Sequence, residues 1–190
     1  MAATQKNHLM RNGELRMIEA FTGLPGQGKT YLVSRMAQKK MKKGHRVYAN
    51  YPLEGATLYG QMEEVFGVRR EPEDTKNPII IIDEAGLIAP AGGWKSIPFE
   101  VMAHWRQHRH SGVDIYYTAQ DLRDVAVPLR RVTQFVNNVT KFGPFIFWKC
   151  YNPTTKGKYG SGFTIFNMDV AKAYDSFAKN VEKQNYLKGL

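Results

Sequence analysis

A single cysteine, Cys150, stands among 190 residues, so no internal disulfide can form and the fold must rest on its own core. That thiol sits in an apolar, strand-like run and is expected to be a buried small hydrophobe, in a chain suited to a reducing compartment. Long apolar runs are missing as well. No stretch of about 18 uncharged apolar residues occurs, and the opening MAATQKNHLMRNGELRM lacks an apolar core of signal-peptide length. These residues are therefore expected to be soluble, without a span or a secretory leader. Acids are scarce: 17 Asp and Glu stand against 27 Lys and Arg, a formal charge of +10. Such an excess favours anionic partners, whether phosphates, nucleic acid or acidic lipid headgroups. Much of it falls on Arg35, Lys39, Lys40, Lys42, Lys43 and Arg46, around the end of a predicted helix. There a solvated face complementing the helix dipole is the plainer reading.

The length suits one domain, able to bury roughly 70% of the surface that the unfolded chain exposes. Residues 1–14 are polar and expected to fray, 15–180 form the domain, and 181–190 make a polar tail. From Leu15, LRMIEAFTG reads as a strand running into a glycine-rich loop. Leu32, Val33, Met36, Ala37 and Met41 then recur at helical spacing, and Gly44 marks a stop. HRVYANY reads as a second strand, LYGQMEEVF as a short helix and GVRREPEDTKN as a surface loop. NPIIIIDEAG holds four consecutive isoleucines between Pro78 and Gly86, the texture of a central parallel strand covered on both faces. A helix is predicted from Pro98 to His110, followed by a buried-type strand in GVDIYYTAQ. Beyond Pro128 come short β-rich runs, TQFVNNVTKF, GPFIFWKCYN and FTIFN, with NPTTKGKYGSG as a turn. These read as hairpins appended to the sheet, before a last amphipathic helix in MDVAKAYDSF.

GLPGQGKT, residues 23–30, follows the G-x-x-x-x-G-K-[ST] pattern between a strand and a helix. Gly23, Gly26 and Gly28 let backbone amides turn inward on phosphate oxygens, with Leu24, Pro25, Gln27 and Tyr31 completing the cradle. Lys29 reaches the β and γ phosphates, and the Thr30 hydroxyl holds Mg²⁺. An ordinary strand-to-helix turn would explain the glycines but not Lys29 and Thr30 in register. IIIIDEA supplies the complement. Asp83, at the C-terminal end of its strand, is placed to hold Mg²⁺ through water, and Glu84 is the candidate base that activates water for attack on the γ-phosphate. If GVDIYYTAQ lies between the first strand and the isoleucine strand, Gln120 stands near the γ-phosphate as its sensor. The whole then resembles an α/β P-loop ATPase: a mainly parallel central sheet flanked by helices, with an additional central strand, a catalytic glutamate and β-rich C-terminal hairpins.

His104, His108 and His110 invite a zinc reading, since the first two lie one helical turn apart. No carboxylate or cysteine completes a set, so metal is not expected there. The neighbouring arginines carry more: Arg109, or Arg106, is a candidate to reach the nucleotide of an adjacent subunit, with Arg130 and Arg131 as weaker alternatives.

Four stretches, GLPGQGKT, IIIIDEA, HRHSGVDIYYTAQ and FTIFNMDVAKAYDS, together resemble the cytoplasmic ATPase domain of the zonula occludens toxin (Zot) family, related to filamentous phage assembly proteins. The likeness spans roughly residues 15–180. It implies an ATP- and Mg²⁺-dependent, membrane-associated motor at the cytoplasmic face of the bacterial inner membrane, helping to extrude phage single-stranded DNA while coat proteins assemble around it. Family members continue into a transmembrane helix and a periplasmic segment, sometimes with toxin activity, which is not transferred to these residues. Expected partners are further copies of the chain, phage coat or assembly proteins, and single-stranded DNA bound without sequence preference through charge and aromatics. Hydrolysis is expected to be weak in an isolated domain if an arginine must come from a neighbour. Two rival readings remain: a nucleotide-gated interaction module with little turnover, and a soluble kinase, which lacks an evident acceptor lid.

Overall fold

The structure, a computed structural model, describes residues 17–174 apart from Trp94 and Ser96. The readings of 1–14 and 181–190 lie outside the described residues. Eight strands form one sheet: β1 Ile18–Thr22, β2 Val47–Ala49, β3 Thr57–Leu58, β4 Ile79–Ile82, β5 Asp114–Ala119, β6 Phe135–Phe142, β7 Phe145–Tyr151 and β8 Lys158–Ile165. Their order is β3-β2-β4-β5-β1-β6-β7-β8. The six strands from β3 to β6 run parallel, while β6, β7 and β8 are antiparallel neighbours. Five helices accompany them among the described residues: α1 Lys29–Met41, α2 Ala85–Ile88, α3 Phe99–Ser111, α4 Val127–Val132 and α5 Met168–Lys172.

The isoleucine strand shows why the parallel half reads as continuous apolar sequence. Successive side chains of a strand point to opposite faces. Ile79 and Ile81 enter one core with Phe21, Leu32 and Tyr116 beneath α1, while Ile80 and Ile82 enter another with Trp105, Ile115, Tyr117 and Leu129. All four are at most 1% exposed, each burial worth roughly 1.5–3 kcal/mol. With both faces covered, no position on β4 can be polar until the strand ends.

Several expectations need adjustment. Helix α1 stops at Met41, and the turn after it brings Gly44 to φ 88°. The segment LYGQMEEVF holds part of the two-residue β3 and a 3₁₀ turn at Met62–Val65, where Gln61 and Glu64 form a capping box. The predicted turn NPTTKGKYGSG is shorter than expected, because β8 already begins at Lys158. Cys150 is half-buried rather than sealed in the core, since β7 lies toward the sheet edge. Arg46 is not part of a merely solvated face: its guanidinium grips both oxygens of Asp74, with Nε–Oδ1 at 2.8 Å, and Nη1 donates to Tyr48 Oη at 2.9 Å. That pairing holds the Asp74 carboxyl below its usual range.

Two of the three histidines of α3 belong to the core, while His110 is exposed. His104 and His108 are 7% and 2% exposed, the His104 ring packs 5.5 Å from Phe66, and His108 Nδ1 lies 2.7 Å from the Trp105 carbonyl oxygen. Burial, reinforced by His108, lowers the His104 imidazole to about 4 from an ordinary 6.5. The unfolded chain therefore takes up this proton first as pH falls, so His104 costs stability between those values, about 3 kcal/mol across the window. Buried Asp114, raised to about 6, acts in the opposite direction over part of the same range. The informative quantity is accordingly a difference. Between pH 6.5 and 4, denaturant unfolding of wild type should lose more stability than that of His104→Leu; parallel pH profiles would remove His104 from the account.

Candidate functional site

β1 delivers the chain to the glycine-rich loop at the C-terminal edge of the parallel strands, where β4 and β5 also end. Gly23, Gly26 and Gly28 have φ of 149°, 76° and 84°, values that favour glycine. At Gly23 the need is also steric, because a Cβ there would collide with the carbonyl oxygen of Val139 in β6. Two further hydrogen bonds fix the loop. The Gly23 amide donates to the Gln120 carbonyl at 3.1 Å, and Gln27 Oε1 accepts from the Lys141 amide at 2.6 Å. The 13-residue α1 starts at Lys29 with no side-chain cap, leaving its first amides to face whatever occupies the loop.

Lys29 Nζ donates to the carbonyls of Gly23 and Leu24 at 2.7 and 3.0 Å. Burial pushes this ammonium below its ordinary pKa, while the nearby charges of Asp83 and Glu84 pull it back up. On the other side, Asp83 Oδ1 accepts from both Thr30 Oγ1 at 2.9 Å and Thr118 Oγ1 at 2.6 Å. Asn50, fully buried just past β2, clips the backbone beside it: its Oδ1 accepts from the Asp83 amide at 2.8 Å and its Nδ2 donates to the Asp83 carbonyl at 3.1 Å. Thr118 Oγ1 also accepts from the Glu84 amide at 2.8 Å. Glu84 sits at φ 54°, ψ 51°, a left-handed conformation that a non-glycine residue adopts only where its surroundings hold it.

These elements enclose a cleft of about 740 Å³. Lys29, Thr30, Glu84 and Gln120 line one part of it, and Lys141, Ile146, Phe166 and Tyr174 wall another. The expected pieces are thus brought together: Pro25, Gly26, Gly28, Lys29, Thr30, Glu84 and Gln120 share one cleft, with Asp83 bonded to Thr30 behind it. Leu24 is 71% exposed. Tyr31 lines the cleft but is 2% exposed, stacks on Phe166 at 4.9 Å, and accepts from the Asn167 amide at 2.8 Å. Its ring therefore ties the segment after β8 to α1.

The arginines stand elsewhere. Arg106 and Arg109 are exposed on α3, whose C-terminus feeds the beginning of β5, at the end of the sheet opposite the phosphate loop. Arg130 and Arg131 close α4 just before β6 begins, toward the same far end. One arginine passed over in the sequence is at the cleft end: Arg123 lies three residues past Gln120 and pairs with Asp121 at 2.9 Å. Also missed were Thr118 and Asn50. A period-two reading of TAQ places Thr118 on the same face as Gln120, but Asn50 depends on β2 lying beside β4, which spacing alone does not reveal.

The central β4-β5-β1 order, the loop and the paired acids define a P-loop NTPase fold with an additional strand between the two motif strands. The chain belongs to the zonular occludens toxin (Zot) family, whose family model matches residues 60–173. No curated protein matches it. Among solved structures it is similar to the N-terminal domain of zonular occludens toxin from Neisseria meningitidis, with TM-score 0.62 and 22% identity over 85% of this chain and 100% of that one. It is also similar to the genome packaging NTPase B204 from Sulfolobus turreted icosahedral virus 2, solved with sulfate, with TM-score 0.58 and 10% identity over 80% and 97% of the two chains. The DNA-packaging ATPase from Sulfolobus turreted icosahedral virus gives TM-score 0.53 and 11% identity over 80% and 98%. Among the described residues no helix is long and apolar enough to cross a membrane, and no group of three metal-ligating side chains occurs.

The close approach at Gly23 gives a direct test of the cradle. Gly23→Ala must displace either the loop or β6, so nucleotide affinity measured by calorimetry should fall at least about tenfold. Affinity within twofold of wild type would mean that the loop does not hold the phosphates.

Proposed function

We propose that this chain is the ATP-binding and ATP-hydrolysing domain of a filamentous-phage assembly protein, and that it couples hydrolysis to export of phage single-stranded DNA through the inner membrane. The observation that carries the reading is the convergence of Thr30 and Thr118 on Asp83 beside the loop, with Glu84 turned to the cleft. Family membership and the +10 charge support the biological setting.

In this reading the amides of residues 23–30 cradle the phosphates, and Lys29 exchanges the Gly23 and Leu24 carbonyls for β- and γ-phosphate oxygens. The hard-oxygen set of Thr30 and Asp83 fits Mg²⁺, held partly through water. Mg²⁺, when bound, neutralises charge on the phosphate oxygens. Glu84 accepts the proton of the attacking water, and Gln120 reports the γ-phosphate to β5 and, through its carbonyl, to Gly23. Among the described residues lining the cleft the cations are Lys29 and Lys141, with no arginine. Arg109 lies at the far end of its own subunit and can act only on a neighbour's nucleotide. Turnover is then weak in the isolated domain and rises with assembly. Coat or assembly proteins and sequence-tolerant single-stranded DNA are the proposed partners, at the cytoplasmic face of the membrane.

Glu84→Gln should reduce steady-state ATP turnover by at least about 100-fold while leaving ATP affinity nearly unchanged. Turnover that is slow in wild type and indifferent to the substitution would favour a nucleotide-gated binding module instead. Arg109→Ala should preserve affinity and abolish the rise of specific activity with protein concentration; a retained rise would exclude that arginine.

A further inference from the structure

A second cavity, of about 440 Å³, lies between α1 and the part of the sheet formed by β1, β6, β7 and β8. Its helix wall is one stripe of α1, in which Leu32, Arg35, Met36, Lys39 and Lys40 recur every three to four positions. The floor is polar. Glu19 of β1 and Asn137 of β6 are 9% and 3% exposed, and Asn137 Nδ2 donates to Glu19 Oε1 at 2.7 Å. The remaining wall is aromatic. Phe135 and Tyr159 meet edge to face at 5.0 Å, and Trp148 stands on the same face of β7 as Cys150. Gly162, paired with Trp148, leaves the indole the room that a Cβ would take. At Gly160, paired with Cys150, a Cβ would meet nothing within 4 Å, so the cavity stays open there.

Two acid-free stretches build most of this site. No Asp or Glu occurs from Gly23 to Leu53 or from Val125 to Met168, and among the described residues Glu19 is the one acid that lines the cavity. The basic run of α1 thus turns three of its cations, Arg35, Lys39 and Lys40, onto a pocket rather than onto open solvent. Floor, wall and rim suit different parts of one ligand. A carboxylate and an amide at the floor disfavour both an anion and an acyl chain at depth. Aromatic rings accept a flat heterocycle, since every nucleobase offers a π-face. Cations at the mouth accept phosphate oxygens.

We propose that this cavity is a second nucleotide site, which seats one nucleobase against Trp148 and Tyr159 and holds its phosphate at Arg35, Lys39 and Lys40. The ends of the chain do not complement that rim: residues 1–16 carry Lys6, Arg11 and Arg16 against Glu14, and 175–190 carry Lys179, Lys183 and Lys188 against Asp175 and Glu182. Past Arg35, Phe163 and Thr164 the cavity continues into a groove bounded by Ile165, Asn167 and Met168. Adjoining nucleotides fit along it, so a single strand binds more tightly than a free nucleotide. The site does not depend on whether the first cleft hydrolyses ATP; only the strand as its source rests on the proposed DNA partner.

The test titrates two probes, thymidine monophosphate and an oligothymidylate of about 16 nucleotides, into the whole chain without ATP. Both should quench tryptophan emission. Trp148→Leu should abolish the quench and weaken the oligonucleotide at least about tenfold, whereas an abasic strand of equal length should bind wild type and variant alike. Lys39→Gln/Lys40→Gln, with unchanged circular dichroism, should make the fall of log affinity with log salt shallower by about 0.7 for each lysine on a phosphate. An oligonucleotide at least about tenfold tighter than the monophosphate supports the site with a strand as source, and comparable affinities support it with a free nucleotide. An oligonucleotide that binds wild type and both variants equally overturns the site while leaving the DNA partner in place. Emission indifferent to both probes overturns it too, as it would if the chain's own ends filled the cavity. So does quenching of Trp148 by polyglutamate alone, which would assign the rim to an acidic peptide.

Discussion

Two hydroxyl protons directed at one carboxylate oxygen organise this molecule. Thr30 comes from the first turn of α1 and Thr118 from β5, and both end on Asp83 Oδ1 at the tip of β4. Charge-assisted hydrogen bonds of this kind are roughly twice as strong as neutral ones, and each fixes a separate element. Asn50 extends the junction to β2 through two bonds to the Asp83 backbone. Four segments distant in sequence are thereby registered at one point. Because Thr118 also accepts the Glu84 amide, the same hydroxyl sets the left-handed turn that carries the candidate base. The placement of the acids relative to the phosphate loop thus follows from hydrogen bonding at strand ends.

The strand order explains which polar residues can meet. In a parallel sheet all C-terminal ends lie on one side, and ligand sites form there. β1, β4 and β5 therefore deliver the loop, Asp83 with Glu84, and Gln120 to a common edge. With β5 between β4 and β1, as its pairing with both demonstrates, Thr118 and Gln120 stand between the acids and the loop. The same rule sends Arg109 away, since it precedes the N-terminal end of β5. A residue a few positions before a strand and one just after it lie at opposite ends of the sheet.

Much of this could be read in the residues because their patterns are local. Four isoleucines ended by two acids, and glycines ended by lysine and threonine, each encode both an element and its chemistry within a short stretch. What escaped the sequence depends on pairing between distant segments. Asn50 looks like a turn residue until β2 is placed beside β4. Phe166 and Tyr174 look like ordinary helix-flanking aromatics until Tyr31 draws the segment after β8 onto α1. The two-residue β3 and the short α4 escape for another reason: neither is long enough to show a period, and α4 starts within a Pro-containing stretch that reads as loop. Arg46 reads as part of a basic surface because its partner Asp74 lies 28 residues away.

The two halves of the sheet are built on different terms, yet they are joined at the phosphate loop. The parallel half is packed on both faces and has little freedom to shift, as expected of a close-packed interior. The antiparallel half leaves one face exposed and is anchored chiefly through β6. That anchor is the loop's own neighbour: Val139 approaches Gly23 so closely that only glycine fits, and the Lys141 amide holds Gln27. A force applied to the β6–β8 face has no apolar layer behind it to absorb the load on the open side, so it acts on β6 and through β6 on the loop. Conversely, a change in loop geometry must either break the Lys141–Gln27 bond or move the hairpin with it. Coupling between the cleft and whatever contacts the hairpins is therefore a property of two short contacts and needs no long chain of intermediaries.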